Sequence, residues 1–117
     1  ADVVVRITGD CPLVDPALVD LCIQGYKDSK VDYFTNTNPV SYPDGLDIEV
    51  MSFNSLNIAN KNAISELDRE HVTPFIRNSK LFKIKNISHV EDLSDIRLTV
   101  DESDDLVVIT NIFIPYL

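Results

Sequence analysis

The stretch Val3-Val-Val-Arg-Ile-Thr-Gly-Asp-Cys-Pro-Leu-Val-Asp-Pro16 indicates the fold class, because it joins a strand to a helix through a short turn. Its β-branched apolar residues predict a buried strand, which Gly9 ends by letting the backbone turn. Asp15 followed by proline is typical of a helix start, and we predict a helix over residues 16–29. Ligands of open α/β sheets bind outside the carboxyl ends of the strands, so Asp10 is a candidate metal ligand.

Residues 1–117 are predicted to form a single packed domain. The hydrophobic content of 44% and the absence of low-complexity runs are typical of a globular protein, and the length suits one domain rather than two. No apolar run is long enough to span a bilayer, so we expect no membrane segment. The chain enters a strand at once, without an initiator Met or a signal sequence, which indicates that it starts inside a longer protein.

The charge balance limits the partners that we expect. A formal net charge of -9 argues against nucleic-acid binding, which needs clustered Lys and Arg. A free nucleotide is compatible with this charge when backbone amides, a few basic residues and a divalent cation hold its phosphates. Cys11 and Cys22 lack CxxC spacing and are predicted to be buried thiols of a reducing compartment, which implies a cytoplasmic location.

The rest of the chain alternates strands with helices. Strand patterns cover residues 31–35, 46–51, 82–87 and 96–100, and a polar, proline-rich loop covers residues 36–45. Ser52 or Asn54 begins a second helix. Ser65 begins a third, which runs to about residue 78 with a kink or break at Pro74. Ser103 caps a final segment in which we favour helix over strand. This alternation predicts an α/β fold, a mostly parallel sheet with flanking helices and one antiparallel hairpin at residues 46–51.

Two acidic residues share one context. Asp10 and Asp101 each follow a β-type run and precede a helix. Neighbouring parallel strands would bring both to one edge of the sheet, where two carboxylates can hold Mg²⁺. The matching chemistry is phosphoryl or nucleotidyl transfer. The alternative is that Asp10 makes a turn and Asp101 caps the last helix.

Four ordered motifs cover nearly the whole chain: Arg6-Ile-Thr-Gly-Asp-Cys-Pro-Leu-Val-Asp15, Tyr42-Pro-Asp-Gly-Leu-Asp-Ile-Glu-Val50, Asp68-Arg-Glu-His-Val-Thr-Pro-Phe-Ile-Arg-Asn78, and Arg97-Leu-Thr-Val-Asp101 with Asp104-Asp-Leu106. Together they resemble the SpsF-like cytidylyltransferases, relatives of the CMP-KDO and CMP-sialic acid synthetases. The resemblance implies a partial Rossmann-like sheet of the GT-A nucleotidyltransferase type. It also implies transfer of CMP from CTP to a sugar acid or related sugar for cell-surface or spore-coat polysaccharide, with release of pyrophosphate, dependence on Mg²⁺ and a homodimer.

The resemblance implies roles for single residues as well. Asp10 and Asp101 would be the metal ligands and the catalytic residues. Arg6 would orient a phosphate or carboxylate, with a strand-edge ion pair as its alternative role. Asp44 and Asp47 would lie in a loop on the sugar side, where Asp47 and Glu49 would face the acceptor or a subunit interface. The alternative for these acidic residues is a hairpin turn followed by a solvated strand face.

Arg69, Glu70 and His71 form a third cluster, to which the resemblance assigns binding of the acceptor sugar. Histidine can act as a general base near neutral pH, but a hydrogen-bonded structural His is the alternative. Arg77 would add positive charge near an anionic substrate, or lie on a solvated face.

The chain departs from the family pattern in one respect, because a glycine-rich nucleotide-binding loop is missing. Its only glycines are Gly9, Gly25 and Gly45, and none forms a phosphate-binding loop. The chain therefore resembles the carboxyl-terminal portion of a transferase, and we predict that it is inactive by itself. A non-catalytic sugar-binding domain or an assembly domain is the alternative function.

Overall fold

The computed structural model describes residues 1–117 as a four-stranded sheet with flanking helices, which confirms the predicted α/β class. In chain order the elements are β1 (Val3–Arg6), α1 (Pro16–Ser29), β2 (Tyr33–Thr35), β3 (Glu49–Ser52), α2 (Phe53–Asn62), α3 (Glu66–His71), α4 (Pro74–Asn78), β4 (Ile84–Asn86) and α5 (Ser103–Phe113), followed by a 3₁₀ turn at Ile114–Tyr116. None of the helices has both the length and the apolar content needed to cross a membrane.

The strand order of the sheet is β1-β3-β2-β4. Strand β3 is antiparallel to both β1 and β2, whereas β2 and β4 are parallel, so three strands share one direction and β3 is reversed. The reversal lies where it is predicted, but β3 begins at Glu49 rather than at residue 46. The Asn36 side chain explains the later start, since it donates to the Leu46 carbonyl at 2.8 Å and accepts from the Ile48 N–H at 2.9 Å. These backbone groups therefore bond to a side chain instead of a neighbouring strand.

Strand β1 lies at the edge of the sheet, so the predicted burial of this strand is wrong. It pairs only with β3. Val3, Val5 and Ile7 on and just after this strand remain 38%, 37% and 41% exposed. A β-branched run shows that a strand forms, but it does not show which faces other elements cover.

The core lies on both faces of the sheet. One cluster contains Leu18, Cys22, Phe34, Ile48 and Val50, and the other contains Tyr33, Met51, Ala59 and Ile76. Successive residues of β2 and of β3 thus point to opposite faces, with α1 on one face and α2 and α4 on the other. Cys11 and Cys22 are free, buried thiols as predicted, and burial raises the pKa of Cys22 to about 11.

The helix predictions agree with the structure where local chemistry sets the ends. Helix α1 covers the predicted residues 16–29, and Asp15 caps it by accepting from the Ala17 N–H at 2.9 Å. Ser52 caps α2, accepting from the Ser55 N–H at 2.9 Å. The break expected at Pro74 separates α3 from α4, because proline suits the first turn of a helix but not its interior.

Residues 96–100 do not form the predicted strand. Three backbone hydrogen bonds connect them to loops instead: Asp44 N–H to the Ile96 carbonyl (2.9 Å), Leu98 N–H to the Asp44 carbonyl (2.7 Å) and Val100 N–H to the Asp10 carbonyl (2.9 Å). Because their neighbours are loops, these residues form an extended connection outside the sheet.

The last segment is helical, as favoured, over Ser103–Phe113. Its N-cap is Glu102, one residue before the predicted Ser103.

Candidate functional site

A polar cavity of about 520 Å³ opens beside β1 and β3, next to helices α3 and α4. Its charged and ionisable lining consists of Arg6, Asp47, Glu49, His71 and Arg77. A concave site with a few convergent charged groups is typical of a site for a polar small molecule.

Glu49 is a buried carboxylate in the wall of this cavity. The resemblance implies that it faces the acceptor or a subunit interface, and the alternative, a solvated strand face, is wrong. Glu49 is only 6% exposed. Its Oε1 accepts from the Tyr33 hydroxyl at 2.7 Å and from the Thr73 hydroxyl at 2.8 Å. Its Oε2 accepts from Arg6 Nη1 at 2.7 Å. Burial, and after it the Glu49 charge, raises the pKa of Tyr33. Both Glu49 oxygens therefore have the partners that a buried charge requires.

Arg6 forms the strand-edge ion pair predicted as its alternative role, and it lines the cavity as well. Arg6 and Glu49 are directly opposite each other across β1 and β3. The Nε and Nη2 atoms of Arg6 make no hydrogen bond within the chain, and the side chain is 31% exposed. One edge of the guanidinium group is fixed, and the other is available to a ligand.

Asp10 lies half-buried in the turn after β1, as predicted. Hydrogen bonding from the Thr8 side chain has the largest effect on this carboxyl group and lowers its pKa. The Cys11 thiol, 3.6 Å from Asp10 Oδ1, and the Arg97 charge act in the same direction. The carboxyl group is therefore held in its ionised form, which is the form that binds cations.

Asp101 is brought close to Asp10 along the backbone, because the Val100 N–H donates to the Asp10 carbonyl at 2.9 Å. The expected route, through neighbouring parallel strands, is wrong, since Asp101 follows an extended connection. The alternative role of Asp101 as the helix cap is also wrong, since Glu102 is the N-cap of α5. The Asp101 carboxylate is exposed and pairs with Arg97 Nη2 at 3.1 Å.

Asp105 holds this acidic turn in place. Its Oδ2 accepts from the Asp101 and Glu102 N–H groups at 3.1 and 3.0 Å. Arg97 binds it with two nitrogens, at 3.1 Å to Oδ1 and 2.8 Å to Oδ2. Arg97, followed by the two backbone N–H groups, lowers the pKa of Asp105, and Asp105 in turn raises the pKa of Arg97.

Asp47 lines the cavity, whereas Asp44 lies in the neighbouring turn. Burial, followed by the Asp44 charge, raises the pKa of Asp47, and the charges of Asp10 and Glu49 add to this effect. These carboxylates therefore create a local excess of negative charge, which a bound cation would reduce.

Gly45 allows the loop to approach the connection that leads to Asp101. Its φ of +107° is unfavourable for any residue with a side chain. A Cβ atom at this position would lie 2.8 Å from the Leu98 carbonyl carbon. The backbone bonds between Asp44 and residues 96–98 depend on this close approach.

The structure does not bring Arg69, Glu70 and His71 into one site. His71 lines the polar cavity. Arg69 donates to the Ala63 carbonyl at 3.2 Å and lines a separate, mainly apolar cavity of about 360 Å³ between α2 and α3. Glu70 is exposed and its side chain makes no hydrogen bond. Only His71 of this cluster shares the cavity with Arg6 and Arg77.

Two groups near the site were not predicted from the sequence, namely the hydroxyls of Tyr33 and Thr73. The position of Glu49 among the apolar residues of its strand could have predicted that it has hydrogen-bond partners, because a buried acid requires them. Thr73 gave no such signal, since its position depends on how the break between α3 and α4 folds onto the sheet.

The acidic residues suit a Mg²⁺ ion, although no three or more His, Cys, Asp or Glu side chains form a ready-made metal cluster. Mg²⁺ commonly takes one or two carboxylates and completes its shell with waters and substrate phosphates. Asp10 and Asp101 lie on adjacent segments, and the charges of Asp44, Asp10 and Glu49 add to burial in raising the pKa of Asp47. The donor set therefore fits such an ion.

Comparison with known proteins identifies the family. A profile of the cytidylyltransferase family matches residues 1–106. Over 107 residues the chain is 41% identical to an uncharacterized protein of Methanocaldococcus jannaschii. This alignment covers 89% of this chain and 43% of that protein. Over 107 residues the chain is also 36% identical to the spore coat polysaccharide biosynthesis protein SpsF of Bacillus subtilis. This second alignment covers 88% of this chain and 43% of that protein.

A solved structure agrees with these matches. The cytidylyltransferase from Leptospira borgpetersenii superimposes with a TM-score of 0.89 and 29% sequence identity, over 99% of this chain and 50% of that one. The chain thus spans less than half the length of the curated relatives that it matches. It belongs to the cytidylyltransferase family and is an SpsF-like member of it.

Proposed function

We propose that this chain is the carboxyl-terminal portion of a Mg²⁺-dependent cytidylyltransferase that transfers CMP from CTP to a sugar acid. Family membership supports nucleotidyl transfer. The observation that carries the proposal is the Val100–Asp10 hydrogen bond, which holds two acidic segments together near a cavity lined by two arginines. The product would enter cell-surface or spore-coat polysaccharide, in keeping with the name of the Bacillus subtilis relative. Two free, buried thiols suit a cytoplasmic enzyme.

The polar cavity would bind the acceptor sugar. The free edge of Arg6 and the unpaired guanidinium group of Arg77 would bind the acceptor's carboxylate. Asp47 would accept a hydrogen bond from a sugar hydroxyl in the same cavity. A bound acceptor hydroxyl oxygen would form a bond to the α-phosphorus of CTP. The bond from that phosphorus to the bridging oxygen breaks, pyrophosphate leaves, and the hydroxyl proton passes to solvent.

Asp10 and Asp101 would hold the magnesium ion, whose chemistry when bound is to neutralise charge on the triphosphate. Hydrogen bonding, first of all from Thr8, lowers the pKa of Asp10 and so favours its ionised form. Arg97 and Asp105 keep Asp101 and its turn in place before any ligand binds. The chain thus supplies a preorganised acidic edge, and preorganisation lowers the cost of binding.

In this proposal the chain supplies only part of the CTP-binding site. The chain has three glycines and no glycine-rich phosphate loop. It spans 43% of the length of each curated relative. We therefore expect residues of a longer parent enzyme to complete the CTP site, and we expect the 117-residue chain alone to release no pyrophosphate.

The first test is calorimetry with Mg²⁺, with and without CTP. We compare the parent enzyme with its Asp10→Asn, Asp101→Asn and double variants. Each substitution removes a negative charge while keeping the side-chain volume, so CTP-dependent Mg²⁺ binding should weaken by at least tenfold. Asp104→Asn is the matched control. Asp104 is an exposed acid in the first turn of α5, close to Asp101 in sequence, and its side chain makes no hydrogen bond.

Equal weakening in the Asp104 control would contradict the assignment of Asp10 and Asp101, since only bulk charge would then matter. The reaction itself is tested by pyrophosphate release in the parent enzyme from CTP and the sugar acids 3-deoxy-D-manno-octulosonate and N-acetylneuraminate. Release without any dependence on Mg²⁺, or with neutral sugars alone, would contradict the proposed reaction.

A further inference from the structure

Glu49 connects three separate parts of the chain at the wall of the polar cavity. Its partners are Arg6 in β1, Tyr33 in β2 and Thr73 in the turn between α3 and α4. The three distances lie between 2.7 and 2.8 Å, and each partner is far from Glu49 in sequence. These contacts form only when the sheet and the helices have assembled.

A buried charge network of this kind is poorly explained by stability alone. Removing charges from water costs free energy that ion pairing largely offsets, so well-packed apolar residues often stabilise a protein equally well. Glu49 is also too enclosed to bind a substrate itself, because it is 6% exposed and both oxygens are occupied. Its effect on a ligand must therefore pass through a neighbour.

Arg6 is the neighbour that reaches the cavity with free donors. A flexible arginine samples many rotamers, and fixing one of them before binding lowers the cost of recognition. The Glu49 bond to Nη1 restrains the guanidinium plane and leaves Nε and Nη2 free. The restrained group then presents two donors in the fork geometry that matches a carboxylate.

We propose that Glu49 is a positioning residue of the acceptor site, which holds Arg6 so that its free edge faces the acidic group of the acceptor. This inference rests on the proposed function, because it takes the polar cavity to be the acceptor site. Thr73 also holds the other Glu49 oxygen, so the carboxylate keeps this anchor on the turn between α3 and α4 when the Tyr33 bond is removed.

The substitution Glu49→Gln isolates the contact with Arg6. If the glutamine oxygen keeps accepting from Tyr33 and Thr73, its NH₂ group faces the guanidinium donors and cannot bond to them. If the amide turns round, Arg6 keeps only a neutral acceptor, so the charged contact is lost in either orientation. Tyr33→Phe is the matched control, since it removes one donor to the same buried carboxylate and leaves the Arg6 bond intact.

Steady-state kinetics of the parent enzyme provide the first measurement, with the sugar acid that supports pyrophosphate release. We expect Glu49→Gln to raise the KM for the sugar acid about tenfold, with kcat and the KM for CTP changed less than about threefold. Tyr33→Phe should leave all three within about twofold. In an Arg6→Ala background, Glu49→Gln should cause no further rise in the sugar-acid KM, because the residue through which it acts is gone.

An unchanged KM in Glu49→Gln, or an equal further rise in the Arg6→Ala background, would overturn the inference while the proposed reaction stands. Absence of pyrophosphate release from the wild-type enzyme with sugar acids would instead contradict the proposed function. In that case the second measurement decides the role of Glu49.

The second measurement is NMR of the guanidinium groups in ¹⁵N-arginine-labelled chain, which needs no acceptor. The chain has only four arginines, Arg6, Arg69, Arg77 and Arg97, so their signals can be assigned by substitution. We expect separate Nη signals for Arg6, from restricted rotation, and averaged signals for the unpaired Arg77 in the wild-type protein. Glu49→Gln should average the Arg6 signals and Tyr33→Phe should not. Averaged Arg6 signals in the wild-type protein would overturn the inference without any variant having to fold.

Discussion

At the residue scale, Asp105 shows how one carboxylate holds the turn that carries Asp101. It accepts four hydrogen bonds, two from Arg97 and two from backbone N–H groups of the turn that carries Asp101. Its pKa is therefore lowered in the folded chain, with Arg97 as the main cause. A carboxyl group of this kind stabilises the fold above its ordinary pKa of 3.8, and this stabilisation is lost as the pH falls toward the folded-state pKa.

We predict that Asp105→Asn lowers the free energy of unfolding at pH 7 and that the difference from wild type narrows below pH 3.8, the ordinary aspartate value. Urea unfolding at several pH values measures this difference. Asp104→Asn, at the exposed neighbouring position, should change little at any pH. A loss of stability that is the same at neutral and acidic pH would show that the charge of Asp105 is not the cause.

At the element scale, the loop with Gly45 fixes the distance between two segments that meet at the site. Gly45→Ala places a Cβ atom 2.8 Å from the Leu98 backbone at a positive φ, so neither the loop nor the connection can relax cheaply. We predict a loss of about 1–3 kcal/mol in the free energy of unfolding. CTP-dependent Mg²⁺ binding should weaken too, because the residue 96–101 connection would shift away from Asp10.

Gly9→Ala is the control for this prediction, since a Cβ atom there meets nothing within 4 Å. It should change stability by less than about 1 kcal/mol. Both effects are measured by chemical denaturation and calorimetry. Equal losses in the two variants would show that loss of glycine flexibility, rather than the contact with Leu98, governs the result.

Local signals predicted several element ends correctly. The cap at Ser52 and the break before Pro74 depend on interactions between residues that are close in sequence, so both can be predicted from the sequence alone. The strand predicted at residues 96–100 failed for the opposite reason. Its alternating pattern is compatible with any extended segment, and only the distant Asp44 and Asp10 decide that it bonds to loops.

At the scale of the whole molecule, β1 combines an unpaired backbone edge with exposed apolar side chains. Val3, Val5 and Ile7 are each more than one-third exposed, and β1 has no strand on its outer side. Unpaired edges of this kind tend to pair with another chain. We therefore propose that the 117-residue chain, studied without the rest of the parent enzyme, forms a homodimer through β1.

Sedimentation velocity over a range of concentrations tests this proposal. We predict reversible self-association of the wild-type chain and a monomer for Val5→Lys, because a lysine on an edge strand opposes strand pairing. Val90→Lys is the control, since Val90 is 97% exposed in the loop that follows β4 and belongs to no strand. A wild-type chain that stays monomeric at every concentration, or association that Val5→Lys leaves unchanged, would contradict a dimer through β1.

The sequence by itself determined the α/β class, the extent of α1, the N-caps of α1, α2 and α3, and the family, because these depend on periodicity, on neighbouring side chains and on ordered motifs. It also placed Asp10 in a turn and Asp101 just before the last helix. Only the tertiary structure decided that Glu49 is buried, that His71 and Arg69 line different cavities, and that β1 is an edge strand. The physical reason is sequence separation. Glu49 meets Arg6 and Thr73 across 43 and 24 residues, and sheet register together with helix packing, rather than local preference, brings such residues together.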